Sequence, residues 1–419
     1  MDKFLINGPC KIKGNVTISG SKNASLPILA ATLLFNQTVT IKNLPRVKDI
    51  NTMLNLLKSL GSKIILSKDK RTAKIFNKKK MKTFASYSMV KTMRGSILVL
   101  GPLISKYFKS KISLPGGCLI GARPINYHLA ALKKLGMKYE LRDGYILAKS
   151  KGKLKGANIK FPNISVGATE NLIIAATLAK GKTTLKNCAI EPEIKDLTKF
   201  LNSAGAKIKW SGRTCLINGV NSLNSTEYEV MADRIEAGTF CVAATLANGN
   251  LEVKNLRPDV IKTELDLLKR TGAIIKTYEK KILIKGPKKI KPIKHIKTKE
   301  WPGVATDMQA QLMVLMCKAA GKSSITENIF ENRFMHVAEL QRLGAKINIK
   351  NNTAKIEGNT KFIGAELMSS DLRASVALVL AAIVSSGKSH INRIYHLDRG
   401  YEKIENKLKK IGVKIKRIK

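Results

Sequence analysis

The sequence lacks the features of several protein classes. Its six cysteines lie far apart without a CxxC pair, and its five histidines have no ligand spacing, so neither a disulfide framework nor a metal site is indicated. A GxGxxG fingerprint is absent, which argues against a nucleotide redox cofactor. No apolar run reaches the roughly 20 residues of a membrane span, and the start, MDKFLING, has no leader-like apolar segment. We expect a soluble, cytoplasmic protein that uses no cofactor and no metal.

Negative charge is also scarce. Lys and Arg number 76 against 29 Asp and Glu, which gives a formal net charge of +47. Such an excess is typical of proteins that bind nucleic acids or anionic membranes. The lysines are spread through nearly every segment together with Asn and Ile, as in an AT-biased genome, and aromatic residues that stack on bases make up only 5%. We therefore expect a solvated lysine-rich surface, with no specific nucleic-acid partner and no membrane partner.

One pattern recurs six times along the chain. It consists of a polar start, an apolar helix, a turn, a strand, a second helix that ends at a glycine, and a further strand. The six glycines are Gly61, Gly136, Gly205, Gly272, Gly344 and Gly412, at nearly constant spacing. The first helices are rich in alanine, which favours tight burial, whereas strands such as TVTIKN alternate polar and apolar residues. The pattern predicts repeated α/β units with helices inside and sheets outside.

The turns GKTT, GKSS and GKSH raise the alternative of a phosphate-binding loop. That loop needs a glycine five residues before the Gly-Lys pair, where this chain has Ala176, Met316 and Ala382. The pair also follows a helix, whereas the loop precedes one. These turns are therefore expected to end helices, with glycine in the left-handed conformation.

Four places depart from the repeated pattern by carrying reactive or charged groups. They are SGSKNASLP with Lys22 and Asn23, LPGGCLIGARP with Cys118 and Arg123, WPGVATDMQAQ with Asp307, and the pair SSDLRAS and YHLDRGYE with Arg373 and Arg399. Each has an ordinary alternative: a surface lysine, a buried thiol, a helix cap, or ion pairs with Asp371 and Asp398. Together they are the groups needed to bind a multiply anionic substrate and move protons on it.

Cys118 differs from the other five cysteines. It lies among glycines and close to an arginine, a setting that raises both thiolate character and access, whereas the others lie in strand-like or apolar segments. We expect Cys118 to be the reactive thiol and the other five to be inert.

Seven segments in order, SGSKNASLPILAA, LPGGCLIGARP, SVGAT, TDMQAQ, ENRFMHV, DLRAS and HLDRGYE, resemble the UDP-N-acetylglucosamine enolpyruvyl transferase family over essentially the whole chain. The cysteine loop separates this family from the sister family that acts on 3-phosphoshikimate. The resemblance implies an α/β fold, an inside-out α/β barrel of two similar domains, each built from three repeated two-helix/four-strand units. Residues 1–20 and 231–419 would form one domain, and residues 21–230 the other, which carries the Cys118 loop.

The resemblance also implies the reaction. The enolpyruvyl group of phosphoenolpyruvate would pass to the 3′-hydroxyl of UDP-N-acetylglucosamine with release of phosphate, the first committed step of peptidoglycan synthesis. These two small molecules would be the partners of the protein. The rival functions are the shikimate-branch transfer, nucleic-acid binding, and a degenerate paralogue kept as a scaffold.

The family's site residues carry over onto matching positions. Cys118 would be the acid and the site of a covalent adduct, and Asp307 the base or the group that orients the sugar hydroxyl. Lys22, Arg123, Arg373 and Arg399 would hold phosphate and carboxylate, and Glu331 and Arg333 would orient the site. The positions that would contact the nucleotide sugar are Asn23, Arg94, Arg123, Pro124, Ile125, Asn126, Tyr127, Asn163, Ile164, Ser165, Val166, Gly167, Asp307 and Ile329. Asn126 and Asn163 depart from the family's usual aspartate and lysine.

Overall fold

The computed structural model describes residues 2–114 and 125–419. The described chain divides into two compact units, each with its own hydrophobic core. Residues 2–19 and 232–419 form what we call the terminal unit, and residues 20–114 and 125–231 form the central unit.

The secondary structure repeats along the chain. The strands are β1 (Lys3–Gly8), β2 (Lys13–Thr17), β3 (Val39–Lys42), β4 (Ser62–Leu66), β5 (Ala73–Asn77), β6 (Phe84–Ala85), β7 (Lys109–Ser113), β8 (Lys138–Arg142), β9 (Tyr145–Lys149), β10 (Asn158–Lys160), β11 (Lys182–Lys186), β12 (Lys207–Ser211), β13 (Thr214–Asn218), β14 (Thr226–Glu229), β15 (Asn250–Lys254), β16 (Ile274–Tyr278), β17 (Lys281–Lys285), β18 (His295–Lys297), β19 (Ser323–Thr326), β20 (Ile347–Lys350), β21 (Thr353–Ile356), β22 (Glu366–Met368), β23 (Gly387–Asn392) and β24 (Ile415–Ile418).

The helices fall between these strands. They are α1 (Lys22–Ala31), α2 (Lys48–Leu60), α3 (Tyr87–Val90), α4 (Leu100–Tyr107), α5 (Asn126–Lys134), α6 (Val166–Ala176), α7 (Pro192–Ser203), α8 (Arg234–Leu246), α9 (Lys262–Arg270), α10 (Gln309–Lys318), α11 (Val337–Arg342), α12 (Leu372–Ile383) and α13 (Ile404–Lys410). Short 3₁₀ segments cover Thr32–Leu34, Arg94–Val99, Pro258–Ile261, Thr306–Met308 and Ile394–Arg399. Among the described residues, none of the helices has the length and apolar character needed to cross a membrane.

The described residues form six sheets, each with four strands and the same topology. In the central unit the orders are β14-β3-β5-β4, β6-β7-β9-β8 and β10-β11-β13-β12, and in the terminal unit β2-β15-β17-β16, β18-β19-β21-β20 and β22-β23-β1-β24. In each order the first strand is parallel to the second, and the remaining pairs are antiparallel. The six copies predicted from the sequence are thereby confirmed.

Three strands, β1, β2 and β14, pair with strands far away in sequence, and β2 and β14 lie where the chain passes from one unit to the other. β2 precedes α1 of the central unit but pairs with β15, with Val16 opposite Val253. β14 pairs in turn with β3, with Tyr228 opposite Ile41. The chain thus contributes β2 to a sheet of the terminal unit before it enters the central unit, and it completes a sheet of the central unit with β14 before it leaves.

The first helix of each copy lies inside its unit. All 13 residues of α8 are buried, as are eight of the ten residues of α1, because small side chains let neighbouring elements pack on every face. The second helices, such as α2 and α7, bury one face. Strands such as β9 and β17 alternate buried and more exposed residues, so each sheet keeps one solvated face. The expected arrangement of helices inside and sheets outside, the inside-out α/β barrel, is confirmed for each unit.

The turn glycines behave as the sequence predicts. The six glycines after the second helices have φ between 95° and 113°, and Gly181, Gly321 and Gly387 of the Gly-Lys turns also have positive φ. Side chains other than glycine are strained in this region, so these residues end the helices. The phosphate-loop alternative is therefore wrong.

The second copy differs from the expected pattern. Where the repeated pattern has one apolar helix, the chain here forms α3, the 3₁₀ segment Arg94–Val99 and then α4. Pro102 is the third residue of α4, where a missing N–H breaks no helical hydrogen bond. At Gly101 a Cβ atom would lie 2.3 Å from the side-chain oxygen of Asn171, so the backbone approaches α6 closely.

Candidate active site

Lys22 is the first residue of α1 and lies mostly buried in the central unit. Ser21 caps the helix, its hydroxyl accepting a hydrogen bond from the N–H of Ala24 at 3.2 Å. The Lys22 ammonium lies 3.5 Å from a carboxylate oxygen of Asp49, with side-chain exposures of 14% and 6%. A surface lysine is therefore the wrong description. Lys22 and Asn23 stand at a helix N-terminus, where backbone N–H groups add to the attraction for an anion.

The predicted nucleotide-sugar positions of the central unit gather at the starts of α5 and α6. Asn126 and Tyr127 begin α5, and the Asn163 amide donates to the Tyr127 hydroxyl at 2.8 Å. Ser165 caps α6, its hydroxyl accepting from the N–H of Ala168 at 3.3 Å. Val166 and Gly167 form the first turn of α6, whereas Ile125 and Ile164 pack against the core.

Arg94 begins a 3₁₀ segment of the same unit and acts electrostatically on His128 in α5. Burial, and then the positive charge of Arg94, lowers the pKa of His128 to about 4. The imidazole is therefore neutral at physiological pH. The sequence contained no signal that set this histidine apart from the other four.

Asp307 is held by two buried arginines in the terminal unit. One carboxylate oxygen lies 2.8 Å from a guanidinium nitrogen of Arg333 and the other 2.8 Å from one of Arg373. The side chains of Arg333 and Arg373 are 4% and 5% exposed, whereas that of Asp307 is 26% exposed. The carboxylate is thus fixed in orientation while one part of it remains accessible.

Two of the ordinary alternatives, a helix cap at Asp307 and an ion pair of Arg373 with Asp371, are wrong. Asp307 lies inside the 3₁₀ segment Thr306–Met308 and does not cap α10, which has Met308 at its N-cap. The Asp371 carboxylate caps α12 by accepting from the backbone N–H groups of Arg373 and Ala374, while the Arg373 guanidinium binds Asp307.

Arg373 is tied into a further buried network. It also donates to the Tyr401 hydroxyl at 3.2 Å, and that hydroxyl lies 2.8 Å from the hydroxyl of Thr239. Burial lowers the pKa of Arg373, but the nearby Asp307, Tyr401 and Asp233 raise it more, so its pKa lies above the ordinary value. Arg373 is a permanent cation beside Asp307.

Glu327 connects the Asp307 segment to the Ile329 segment and was missed by the sequence analysis. One of its carboxylate oxygens accepts from the Thr298 hydroxyl at 2.9 Å and from the N–H groups of Ile329 and Phe330 at 2.8 and 3.2 Å. The other accepts from the Thr306 hydroxyl at 2.9 Å. Glu327 is 3% exposed, so these bonds are shielded from water. A buried carboxylate with four donors holds both segments in place.

The remaining predicted residues of the terminal unit are less enclosed. Arg399 ends the 3₁₀ segment Ile394–Arg399 and is half-buried, as is Ile329, whereas Glu331 is exposed. Asp398 accepts two hydrogen bonds from the guanidinium of Arg417, at 2.6 and 3.0 Å.

Cys118, Arg123 and Pro124 lie outside the described residues. The five other cysteines are free and buried. Burial raises the pKa of Cys188 to about 11 and the pKa values of Cys241 and Cys317 to about 12, and it also raises the pKa of Cys215. These four thiols stay protonated near neutral pH, as expected of inert cysteines. Within the described ranges, no cluster of three or more His, Cys, Asp or Glu side chains could hold a metal ion.

Sequence comparisons find related proteins along the whole chain. Residues 6–408 match the model of the EPSP synthase (3-phosphoshikimate 1-carboxyvinyltransferase) family. The UDP-N-acetylglucosamine 1-carboxyvinyltransferase of Pelagibacter ubique is 62% identical over 419 residues, which covers 100% of both chains. The enzyme of the same name from Trichlorobacter lovleyi is 49% identical, over 100% of this chain and 99% of its own.

Solved structures show the same fold at low identity. The enolpyruvyl transferase NikO of Streptomyces tendae superposes with a TM-score of 0.89 at 23% identity, over 99% of this chain and 98% of its own. The EPSP synthase of Acinetobacter baumannii gives a TM-score of 0.79 at 18% identity, over 100% of both chains.

Proposed function

The chain belongs to the enolpyruvyl transferase family, and from this membership we propose that it is a UDP-N-acetylglucosamine 1-carboxyvinyltransferase of peptidoglycan synthesis. The observation that carries the proposal is the 62% identity to an enzyme of that name over the full length of both chains. The family model also covers the enzymes that act on 3-phosphoshikimate. The 62% identity, rather than the fold, therefore indicates UDP-N-acetylglucosamine as the acceptor. The free state of the five described cysteines supports a cytoplasmic location, and we take the two compact units as the two domains.

The reaction is an addition followed by an elimination. In the addition, the C3 methylene carbon of phosphoenolpyruvate gains a proton, while the 3′-oxygen of the sugar bonds to C2 and loses its proton. In the elimination, C3 loses a proton and C2 releases the phosphate, which restores the double bond. The hydroxyl proton leaves with the phosphate, so atoms and charges balance.

Asp307 is the group that orients the sugar hydroxyl and takes up its proton. Its carboxylate is fixed by Arg333 and Arg373 but keeps 26% of its surface exposed. A base held by two buried cations loses little orientational freedom when the substrate binds. Arg333 therefore acts through Asp307. The residues that would bind the phosphate and carboxylate of phosphoenolpyruvate are Lys22, Arg123, Arg373 and Arg399.

The nucleotide sugar lies against the starts of α5 and α6. The contact residues are Asn23, Arg94, Arg123 to Tyr127, Asn163 to Gly167, Asp307 and Ile329, and Glu331 helps to orient the site. The hydrogen bond from Asn163 to Tyr127 supports this role for the neutral amide at position 163, because it joins the two segments without a charge.

Cys118 is the acid that protonates C3, and it forms the covalent adduct with phosphoenolpyruvate. An epoxide phosphonate such as fosfomycin should alkylate it: the thiolate attacks a ring carbon, and the C–O bond opens to an alkoxide that takes up a proton. Peptide mapping should find the adduct on Cys118 and none on the five buried cysteines, more readily with the nucleotide sugar present. Cys118→Asp should keep turnover and escape alkylation. An adduct on a different cysteine would remove Cys118 from this role.

The direct test of the function is phosphate release from phosphoenolpyruvate. Release should require UDP-N-acetylglucosamine and should not occur with 3-phosphoshikimate as the acceptor. Mass spectrometry of the product should find the nucleotide sugar with one added enolpyruvyl group. Activity with 3-phosphoshikimate alone would overturn the proposal, and so would the absence of turnover with both acceptors.

A further inference from the structure

Asn171 lies in α6, fully buried, and bonds to three other segments of the central unit. Its side-chain oxygen accepts from the backbone N–H of Gly101 at 2.7 Å, and its side-chain nitrogen donates to the backbone carbonyl of Ile97 at 3.1 Å. The same nitrogen lies 3.0 Å from Nδ1 of His128. One amide thus joins α6 to the 3₁₀ segment that begins at Arg94, to α4 and to α5.

The two backbone contacts fix which end of the amide is which. A backbone N–H can only donate, so the atom facing Gly101 is the oxygen, and a carbonyl can only accept, so the atom facing Ile97 is the nitrogen. The nitrogen carries two hydrogens and no acceptor, so it donates to Nδ1 of His128. That ring nitrogen must be unprotonated, and a neutral ring then carries its proton on Nε2.

The surroundings of His128 agree with this assignment. The ring is 7% exposed. Burial, together with the positive charge of Arg94, lowers the pKa of His128 to about 4. A protonated ring would place an N–H against the N–H of Asn171, which the buried geometry does not allow.

The ring also touches the first turn of α6. A Cβ atom added to Gly167 would lie 3.3 Å from Cε1 and 3.4 Å from Nε2 of His128. The Nε2 edge of the ring therefore lies beside Gly167. Gly167 follows the cap Ser165 and Val166 in the first turn of α6. Three segments with nucleotide-sugar residues, those of Arg94, Tyr127 and Gly167, meet around one amide.

We propose that Asn171 is a positioning residue for the nucleotide-sugar contacts and that it acts by holding His128 in the tautomer with the proton on Nε2. This inference rests on the proposed function. It explains why a fully buried position of α6 holds an amide rather than an apolar side chain. An apolar residue would leave the Gly101 N–H and the Ile97 carbonyl without these bonds, and a carboxylate could not donate to Nδ1.

The first test needs neither a variant nor a substrate. Nitrogen-15 NMR of the histidine rings, with His128 assigned by its loss in His128→Gln, should show an unprotonated Nδ1 and a protonated Nε2 at pH 7. A ring protonated on Nδ1 would overturn the proposal. Because this measurement uses the protein alone, its result does not depend on whether the proposed function is correct.

The second test uses Asn171→Asp, which keeps the size of the side chain and the acceptor for Gly101 but loses both donated bonds. The KM for UDP-N-acetylglucosamine should rise about tenfold or more, the loss expected for buried hydrogen bonds. The KM for phosphoenolpyruvate should change less than about twofold, and the NMR signals should show a proton on Nδ1 of His128.

The matched control is Asn202→Asp in α7 of the same unit. Asn202 also bonds a backbone N–H and a carbonyl, both of Ile208, but contacts none of the proposed site residues in these bonds. The Asn202→Asp variant should have a lower melting temperature but an unchanged KM for UDP-N-acetylglucosamine and for phosphoenolpyruvate. Equal KM changes in both variants would reduce Asn171 to a structural role, and so would an undiminished effect of Asn171→Asp in a His128→Gln background.

Discussion

His128 in the central unit and His336 in the terminal unit occupy the same position of the repeated unit, yet their neighbours differ. Each stands eight residues before the glycine that ends its copy's second helix, Gly136 or Gly344. Burial and Arg94 lower the pKa of His128 to about 4. Burial also lowers the pKa of His336 to about 4, an effect that Asp371 opposes and Arg333 strengthens. The repeated unit thus holds a buried imidazole at this position in both units.

The partners of the two rings show how the units have diverged. His128 receives a hydrogen bond from Asn171, six residues after the cap Ser165, whereas the corresponding position after the cap Asp371 is Ala377. His336 instead lies beside Arg333, which holds Asp307. Beside these two histidines, the central unit uses the neutral amide of Asn171, and the terminal unit uses the ion pair of Arg333 with Asp307. A repeated fold therefore supplies the position, and the partner chosen there determines the chemistry.

Asp307→Asn should have the largest effect, because it removes the charge on which the terminal unit's arrangement depends. An amide cannot take the hydroxyl proton, and it leaves Arg333 and Arg373 as two buried cations without this carboxylate between them. Turnover should fall about 10³-fold, within the range for loss of a general base. Steady-state phosphate release measures it, with thermal unfolding as the check that the variant is folded.

Glu252→Gln is the matched control for a lost carboxylate in the same unit. Glu252 pairs with Lys254 and Lys281 at the surface, where ion pairs contribute little. Its turnover should equal that of the unaltered protein. If Asp307→Asn retained near-normal turnover, the carboxylate would have neither the orienting nor the proton-accepting role.

Glu327→Gln should have a smaller effect, because it changes the support of the site rather than a reacting group. The amide nitrogen cannot accept from the Thr306 hydroxyl or from the N–H groups of Ile329 and Phe330, so one side of the arrangement must shift. The KM for UDP-N-acetylglucosamine should rise about tenfold, with a smaller fall in kcat. An unchanged KM would show that the terminal unit does not need this link, in contrast to Asn171 in the central unit.

The sequence predicted the repeats well because glycine and alanine mark local requirements: left-handed turns at positions such as Gly61, and close packing at positions such as Ala30. Lys22 and Asp307 were visible because a charge at the start of an apolar helix stands out within a short segment. Asp49, Asn171 and Glu327 were not visible. Their roles depend on distant partners: Gly101 lies 70 residues from Asn171, and Thr298 lies 29 residues from Glu327. Ordinary polar residues become informative only when folding brings such partners together.

The smallest expected effect is the pH dependence of stability from His128 and His336. Both rings have a pKa near 6.5 when unfolded and about 4 when folded, so the unfolded state binds more protons between these values. Their contribution to stability is complete above pH 6.5 and is lost as the pH falls towards 4. Burial raises the pKa of Asp196 to about 6, so its carboxyl group is protonated at a higher pH in the native state than in the unfolded state. Asp196 therefore changes stability with pH in the opposite direction. The free energy of unfolding of the unaltered protein therefore depends on pH through groups that act in opposite directions. Comparing each histidine variant with the unaltered protein isolates the contribution of that histidine.

His128→Gln and His336→Gln should each be destabilised by less at pH 5 than at pH 7.5, relative to the unaltered protein, in urea unfolding at both pH values. If NMR showed either ring titrating near pH 6.5 in the folded protein, that histidine would not share the buried neutral state, and the equivalence of the two positions would fail.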